Sequence, residues 1–320
     1  NPVPIDWKSY EPAVPNQQGV QVIPYIPVEE IIPYIHWTFF FMAWRLNGKY
    51  DDIQSVCDCG SCRVGWLQKF PENERVKAEE ALKLYKDAQE MLRRFLDEKI
   101  VTLNAMVGIF PAHSEDEDIV VTFENKKINI PTLRQQTPAS DGFCYALADF
   151  LKPADDYVGV FANTVIGAEA LAETFEKDDD MYHSILIKTL ADRLAEATAE
   201  WLHYKIRTEI WGYVPNEELN VNEFFKTHYQ GIRPAVGYPS LPDQSVIFTM
   251  NELIDFSSLG ISLTENGAMY PNASVSGLVF DHPKSKYFNI GKIDEHQFQD
   301  YARRCGKSPD MLRKWLAANL

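Results

Sequence analysis

A chain of 320 residues with 45% hydrophobic types and 12% aromatic rings can fill a substantial core, which excludes a disordered reading. Its formal charge of −15 repels phosphate backbones and anionic lipid, and its positive residues are dispersed among acids, so neither a nucleic acid nor a membrane is an expected partner. Five cysteines, an odd number in a long chain, argue against a secreted disulfide scaffold; with no signal-peptide pattern and no apolar run near about 18 residues, the expectation is a cytoplasmic protein.

Residues 1–28 are Pro-rich and read as an extended arm lying on the domain. The chain starts without an initiator Met, as a piece of a longer multidomain protein would. From Glu29 to Trp44 it turns apolar and aromatic, a core segment in which His36 sets an imidazole among the rings. Residues 51–72 form an insertion in which Cys57, Cys59 and Cys62 are spaced closely enough to share one metal, although no second pair of ligands accompanies them. Asn73–Lys99 keeps three- and four-residue apolar spacing and predicts a long helix. Short strands follow at Ala105–Phe110, at Ile119–Phe123 with Ile128–Ile130 around a polar turn, and at Tyr157–Ala162; the charge run His113–Asp118 reads as a solvated loop.

Met181–Trp211 is the longest helical signal. Tyr182, Leu186, Leu190, Leu194, Trp201 and Ile210 mark its core stripe. Lys188, Asp192, Glu196, Glu200 and His203 form a separate polar line, which reads as the wet face or as carboxylates offered to a ligand amine. Further helices are predicted at Thr249–Ser258, at Asp294–Cys305 stopped by Gly306, and after Ser308 with Pro309 at the first position; Val275–Phe280 and Tyr287–Ile293 read as strands. Long helices among short strands, without a βαβ rhythm, predict an α+β fold: one domain over residues 1–320 with a central antiparallel sheet flanked by long helices.

The densest stretch is Tyr229–Pro239, where two Gly, two Pro, two Tyr and Arg233 fall within eleven residues. That mixture predicts an ordered irregular loop. Arg233 there either ties its own loop together or receives a carboxylate beside aromatic rings. Phosphate-binding glycine loops, a His-Glu-x-x-His metal motif and a nucleophile elbow are all absent, which disfavours an ordinary nucleotide-fold transferase or hydrolase.

Several stretches together carry a family resemblance: Trp37–Trp44, Leu133–Thr137, Ala191–Glu196, Trp211–Glu217, Tyr229–Pro239, Leu263–Gly277 and Asp300–Arg304. In that order, from about Asp6 to the last residue, they resemble the C-terminal activation domain of cobalamin-dependent methionine synthase. The resemblance implies a curved α+β module that binds S-adenosylmethionine. It also implies a role in repair, in which an electron from a flavodoxin-type or diflavin reductase and a methyl from S-adenosylmethionine restore an oxidised cobalamin held by another domain of the same enzyme. Zinc would belong only to the absent catalytic module. The domain would serve a methyltransferase without turning over homocysteine by itself, and it would act by positioning, with no catalytic residue of its own.

Carried over to this chain, the resemblance implies that Arg233 clamps the ligand carboxylate, with the backbone of Ala235 and the ring of Tyr238 beside it. Tyr287 and Phe288 form the aromatic wall near the adenosine, Glu196 meets the amino group, and Asp192 faces the cobalamin module. His36 stands where the family often has Asp, and Thr227 falls on another family acid. An imidazole accepts a hydrogen bond only when neutral, so affinity is expected to weaken below about pH 6.5. Two alternatives remain: a docking module that has lost the ligand, and a structural domain stabilised by zinc on Cys57, Cys59 and Cys62.

Overall fold

The computed structural model describes residues 1–320, which gather into two compact units. The first comprises Asn1–Tyr25, Asn104–Thr164 and Thr198–Leu320; the second comprises Ile26–Leu103 and Val165–Ala197. The N-terminal arm belongs to the first unit as far as Tyr25. Pro2, Pro4, Pro12 and Pro15 keep it out of a helix, and it is held by bonds of its backbone. Asn1 O accepts from Cys144 N at 3.0 Å, Ala13 O from the indole of Trp211 at 2.9 Å, and Asn16 N donates to Trp211 O at 3.1 Å. Only after Gly19 does the arm become a strand, β1 (Gly19–Ile26), which joins the main sheet.

In the second unit two short helices, α1 (Val28–Ile31) and α2 (Trp37–Ala43), carry the aromatic segment. Phe40 and Phe41 are buried while Phe39 and Met42 are about half exposed, because a helix turns successive residues to different sides. The cysteine insertion folds into α3 (Gly60–Leu67), anchored by buried Trp66, whose indole donates to Asp51 O at 3.0 Å and whose ring meets Phe70. The predicted long helix is α4 (Arg75–Asp97), and every third or fourth residue from Ala78 to Phe95 is buried. Its Tyr85 packs edge-on against Trp37 at 4.9 Å.

The sheet has the order β4-β3-β2-β5-β8, with β1 also paired to β2. Its strands are β2 (Thr102–Glu115), β3 (Asp118–Phe123), β4 (Lys126–Pro131), β5 (Asp156–Ile166) and, near the C-terminal end, β8 (Ser274–Val279); β6 (Ser262–Leu263) and β7 (Met269–Tyr270) make a separate small ladder. β2–β3, β3–β4 and β5–β8 pair antiparallel. The run His113–Asp118 is not a loop. Pairing continues to Glu115↔Asp118, leaving a turn of Asp116 and Glu117 with Asp116 at φ +52°. At the tip of a hairpin charged side chains can reach water while the backbone keeps its ladder, so charge density alone misreads it.

The remaining helices are α5 (Ala168–Lys177), α6 (Met181–Lys205), α7 (Val221–Phe225), α8 (Val246–Ile254), α9 (Glu295–Cys305) and α10 (Pro309–Trp315). α6 runs directly into a single π-helical turn, Ile206–Ile210. α9 and α10 start on Asp294 and Ser308, which accept from the third residue of each helix as expected of N-caps. The apolar faces of β2, β3 and β5 and of α8 merge into one core with Ile232, Val236, Leu278 and Phe280. Tyr287–Ile293 is not a strand. Ile290 N donates to Pro239 O, Ile293 N to Asn319 O, and Gly291 sits at φ +67°, so this stretch is tied to loops instead of a ladder.

Candidate functional site around Arg233

The loop Tyr229–Pro239 is irregular, but it is not loose. Two antiparallel bridges, Ile232↔Phe280 and Ala235↔Gly277, attach it to β8. Ile232 and Phe280 exchange both backbone bonds at 3.0 and 2.9 Å, Leu278 N donates to Pro234 O at 2.9 Å, and Val236 N donates to Ser276 O at 2.8 Å. Pro234 can take this place because it is asked only to accept. The approach is so close that a Cβ on Gly277 would lie 2.1 Å from Pro234 O. Gly231 turns the chain into the loop at φ +85°, where a side chain would meet Phe280 O at 2.4 Å. Arg233 is therefore presented from a segment fixed on both sides to the sheet.

Its guanidinium meets the C-terminal end of α6. Nη1 forms an ion pair with Glu200, donates to His203 Nδ1 at 3.2 Å and to Tyr229 Oη at 3.2 Å. Glu200 and His203 are buried, whereas the Arg233 side chain keeps 18% of its surface in solvent. His203 is held neutral: burial pushes its pKa well below the ordinary value, and the charges of Arg207 and Arg233 add to this. A neutral ring has one bare nitrogen, and because a guanidinium can only donate, the contact places it at Nδ1.

A second arginine beside it does a different job. Arg207, in the π-helical turn, is wholly buried and makes a two-pronged pair with Glu217 at 2.6 and 2.7 Å. Its guanidinium lies 4.4 Å from the Tyr229 ring, which also meets His203 edge-on at 4.7 Å. Tyr229 is thus wedged among Arg207, His203 and Arg233, and burial raises its pKa so that the phenol stays protonated. Its hydroxyl lies 2.8 Å from that of Tyr287, which also accepts from Arg233 N at 2.9 Å. Tyr287 as a residue remains 38% exposed. The result is a fixed, partly solvent-facing guanidinium with a half-exposed phenol bonded to its backbone.

Residues 27–306 match the model of the vitamin B12 dependent methionine synthase activation domain. This chain belongs to that family. It is also similar, with a TM-score of 0.88 and 41% identity, to the crystal structure of the MetH reactivation domain bound to AdoHcy; the match covers 100% of this chain and 96% of that one. The mixed α/β architecture with its mainly antiparallel sheet agrees with that fold.

Within this activation domain the other residues singled out from the sequence stand as follows. Ala235 is buried at its bridge to Gly277, and Tyr238, at the tip of the loop, is about half exposed. Phe288 is partly buried against Tyr145, with its backbone N and O both bonded to the Ser240 hydroxyl. His36 and Glu196 belong to the second unit, His36 at the N-cap of α2 with its ring 4.6 Å from Phe39, and Glu196 half-buried on α6. Asp192, also in the second unit, is exposed. Thr227 follows α7 at φ +56°, an uncommon conformation for a β-branched residue.

The polar line on α6 is not a uniform wet face. Lys188 and Asp192 are exposed, Glu196 is intermediate, and Glu200 and His203 are buried. Tyr182, placed in the core stripe by its spacing, is exposed and bonds Asp87 through its hydroxyl at 2.5 Å. Of the residues around the guanidinium, the sequence reading names Glu200 and His203 only within the polar line and Tyr229 only within the loop, and it does not name Arg207. One signal for them exists: the polar row continues at four- and three-residue steps through Glu196, Glu200, His203 and Arg207, while Trp201, Leu202, Ile206 and Ile210 make that part of the helix apolar on its other sides.

Proposed function

We propose that this activation domain binds S-adenosylmethionine, with Arg233 receiving the ligand carboxylate. The reading is carried by the contrast between the two arginines. Arg207 is wholly buried and gives Nε and Nη2 to a buried carboxylate, whereas Arg233 is held by the same cluster and still reaches solvent at the surface of the loop. A guanidinium suits a carboxylate because its planar fork matches two oxygens, and fixing the fork beforehand lowers the ordering cost of binding. The similar reactivation domain bound to AdoHcy supports the same ligand class.

In this reading the backbone at Ala235 and the half-exposed ring of Tyr238 flank the carboxylate, while Tyr287 and Phe288 offer aromatic surface to the adenosine. The further proposals at His36 and Glu196 are tested one by one: wild-type affinity in His36→Ala or in Glu196→Gln removes that residue from the reading. When bound, the ligand supplies an already activated methyl for the reductive repair of an oxidised cobalamin carried by another domain. The chain's own work is then to hold and orient, without a general base. The proposed partners are that cobalamin-binding domain and a flavodoxin-type or diflavin electron donor. Turnover of homocysteine is not expected from this chain alone.

Isothermal titration with S-adenosylmethionine on wild type and Arg233→Ala tests the assignment. Loss of the guanidinium leaves a carboxylate without its partner and should cost roughly 2–4 kcal/mol of binding. Equal affinities reject the role of Arg233. No binding by a folded wild type that still associates with the cobalamin domain favours a docking module instead.

A further inference from the structure

The cysteine insertion takes no part in the reading above, and its geometry is specific. The sulfurs of Cys57, Cys59 and Cys62 all lie within 4.8 Å of one another, and all three residues are exposed. The Sγ atoms of Cys57 and Cys59 are 2.8 Å apart. Cys59 is the N-cap of α3, where its sulfur accepts from Cys62 N at 3.3 Å. Cys57 and Cys59 precede the helix and Cys62 sits in its first turn, so a single turn of backbone brings the three side chains to one point.

The surroundings hold this arrangement in place. Lys86 from α4 pairs with Asp58 at 2.6 Å and lies 3.5 Å from Cys57 O. Arg63, next to Cys62, pairs with Glu79 of α4. At the other end of α3, Trp66 is buried. The helix N-terminus favours negative charge on the sulfurs.

From this convergence we infer that Cys57, Cys59 and Cys62 form a three-thiolate site for one soft cation of the Zn2+ class, open at its fourth position. Zinc takes thiolate sulfurs at about 2.3 Å in tetrahedral geometry, which requires sulfur–sulfur separations of roughly 3.8 Å. The separations in the present cluster, 2.8 Å between Cys57 and Cys59 and none above 4.8 Å, bracket that spacing. Three protein ligands leave the fourth position to water or to an external ligand, the pattern of an open site and not of a closed structural one. Binding displaces whatever protons the three thiols carry, so affinity rises with pH and proton release accompanies it.

The test is competitive titration of the full, reduced chain with Zn2+ against a chromophoric chelator, alongside thiol labelling. About one equivalent should bind and shield these three cysteines from a maleimide, with protons released. Cys59→Ser is the informative variant. Serine is itself a favoured N-cap, so α3 keeps its cap while the site loses a thiolate. Affinity should fall by more than the 10–100-fold typical of losing a mere supporting partner. Cys62→Ser, which leaves the cap untouched, should behave alike. Unchanged zinc affinity in both variants overturns the proposal. So does a reduced wild type that leaves the chelator loaded while its Cys57 and Cys59 close into a disulfide on mild oxidation.

Discussion

At the scale of single residues, the account turns on how a guanidinium is kept in position. Tyr287 does more than offer a ring, since its hydroxyl meets Arg233 N and Tyr229 Oη. Tyr287→Phe removes that oxygen while keeping the ring, and leaves a backbone N–H and a phenol each short of a partner. Stability should fall by roughly 1–2 kcal/mol, seen as a lower urea midpoint with an unchanged slope. A midpoint equal to wild type removes Tyr287 from the positioning role.

Arg233 was legible in the sequence because Gly and Pro on either side leave little room for regular structure, and a charged fork there calls for an explanation. Its partners were not legible. Glu200 and His203 share their spacing with exposed Lys188 and Asp192, and only the packing around the far end of α6 decides which of them lose water. The arrangement of Cys57, Cys59 and Cys62 was legible as spacing, but their convergence depends on where α3 begins.

At the scale of elements, the attachment of the loop to β8 sets what can change. Gly277→Ala puts a methyl against Pro234 O at a distance no real Cβ tolerates, so loop or strand must shift. The expected result is a loss of roughly 2–3 kcal/mol in stability, of the size usual for overpacking, together with weaker ligand binding. A folded Gly277→Ala chain with wild-type stability argues that the loop is not stitched to β8 as described. The π-helical turn offers a second check. Glu217→Ala strands Arg207, which has no exposed surface, and should cost roughly 3–5 kcal/mol in chemical denaturation.

Elements with strong local signals were read well from sequence: α4 from its apolar spacing, α9 and α10 from their caps, β3 and β4 from a turn whose Glu124 and Asn125 both take positive φ. Tyr287–Ile293 was misread because its apolar residues serve the core from a looped path, with Ile290 and Ile293 packed against Phe298 and Leu312. The run His113–Asp118 was misread in the opposite sense, since the tip of a hairpin tolerates charge.

For the whole molecule, buried acids make stability depend on pH in an unusual direction. Asp281 is raised to about 7, chiefly by burial and then by Asp156, which burial itself raises to about 6. A carboxyl whose folded pKa exceeds its unfolded value binds its proton more tightly when folded. Its contribution is favourable at low pH and is lost as pH climbs from about 4 to about 7. His203 works the other way. Its folded pKa is depressed, so stability is lost as pH falls below about 6.5, where only the unfolded chain takes up that proton.

Asp281→Asn separates the two effects. It can still accept from Tyr10 Oη, now 3.2 Å from the carboxylate, but cannot ionise. The variant should be more stable than wild type by about 2–4 kcal/mol near pH 8, and the gap should close toward about pH 4. Thermal unfolding across that range measures it. A gap independent of pH means that Asp281 does not titrate in this window.

The fold and the family are settled by the match over residues 27–306 and the likeness to the reactivation domain. The central claim concerns one contact within them. A crystal structure of this chain with S-adenosylhomocysteine bound tests it most directly: the account predicts the ligand carboxylate within hydrogen-bonding distance of the Arg233 guanidinium. A ligand seated elsewhere, with Arg233 still turned to Glu200 and His203 alone, would contradict it.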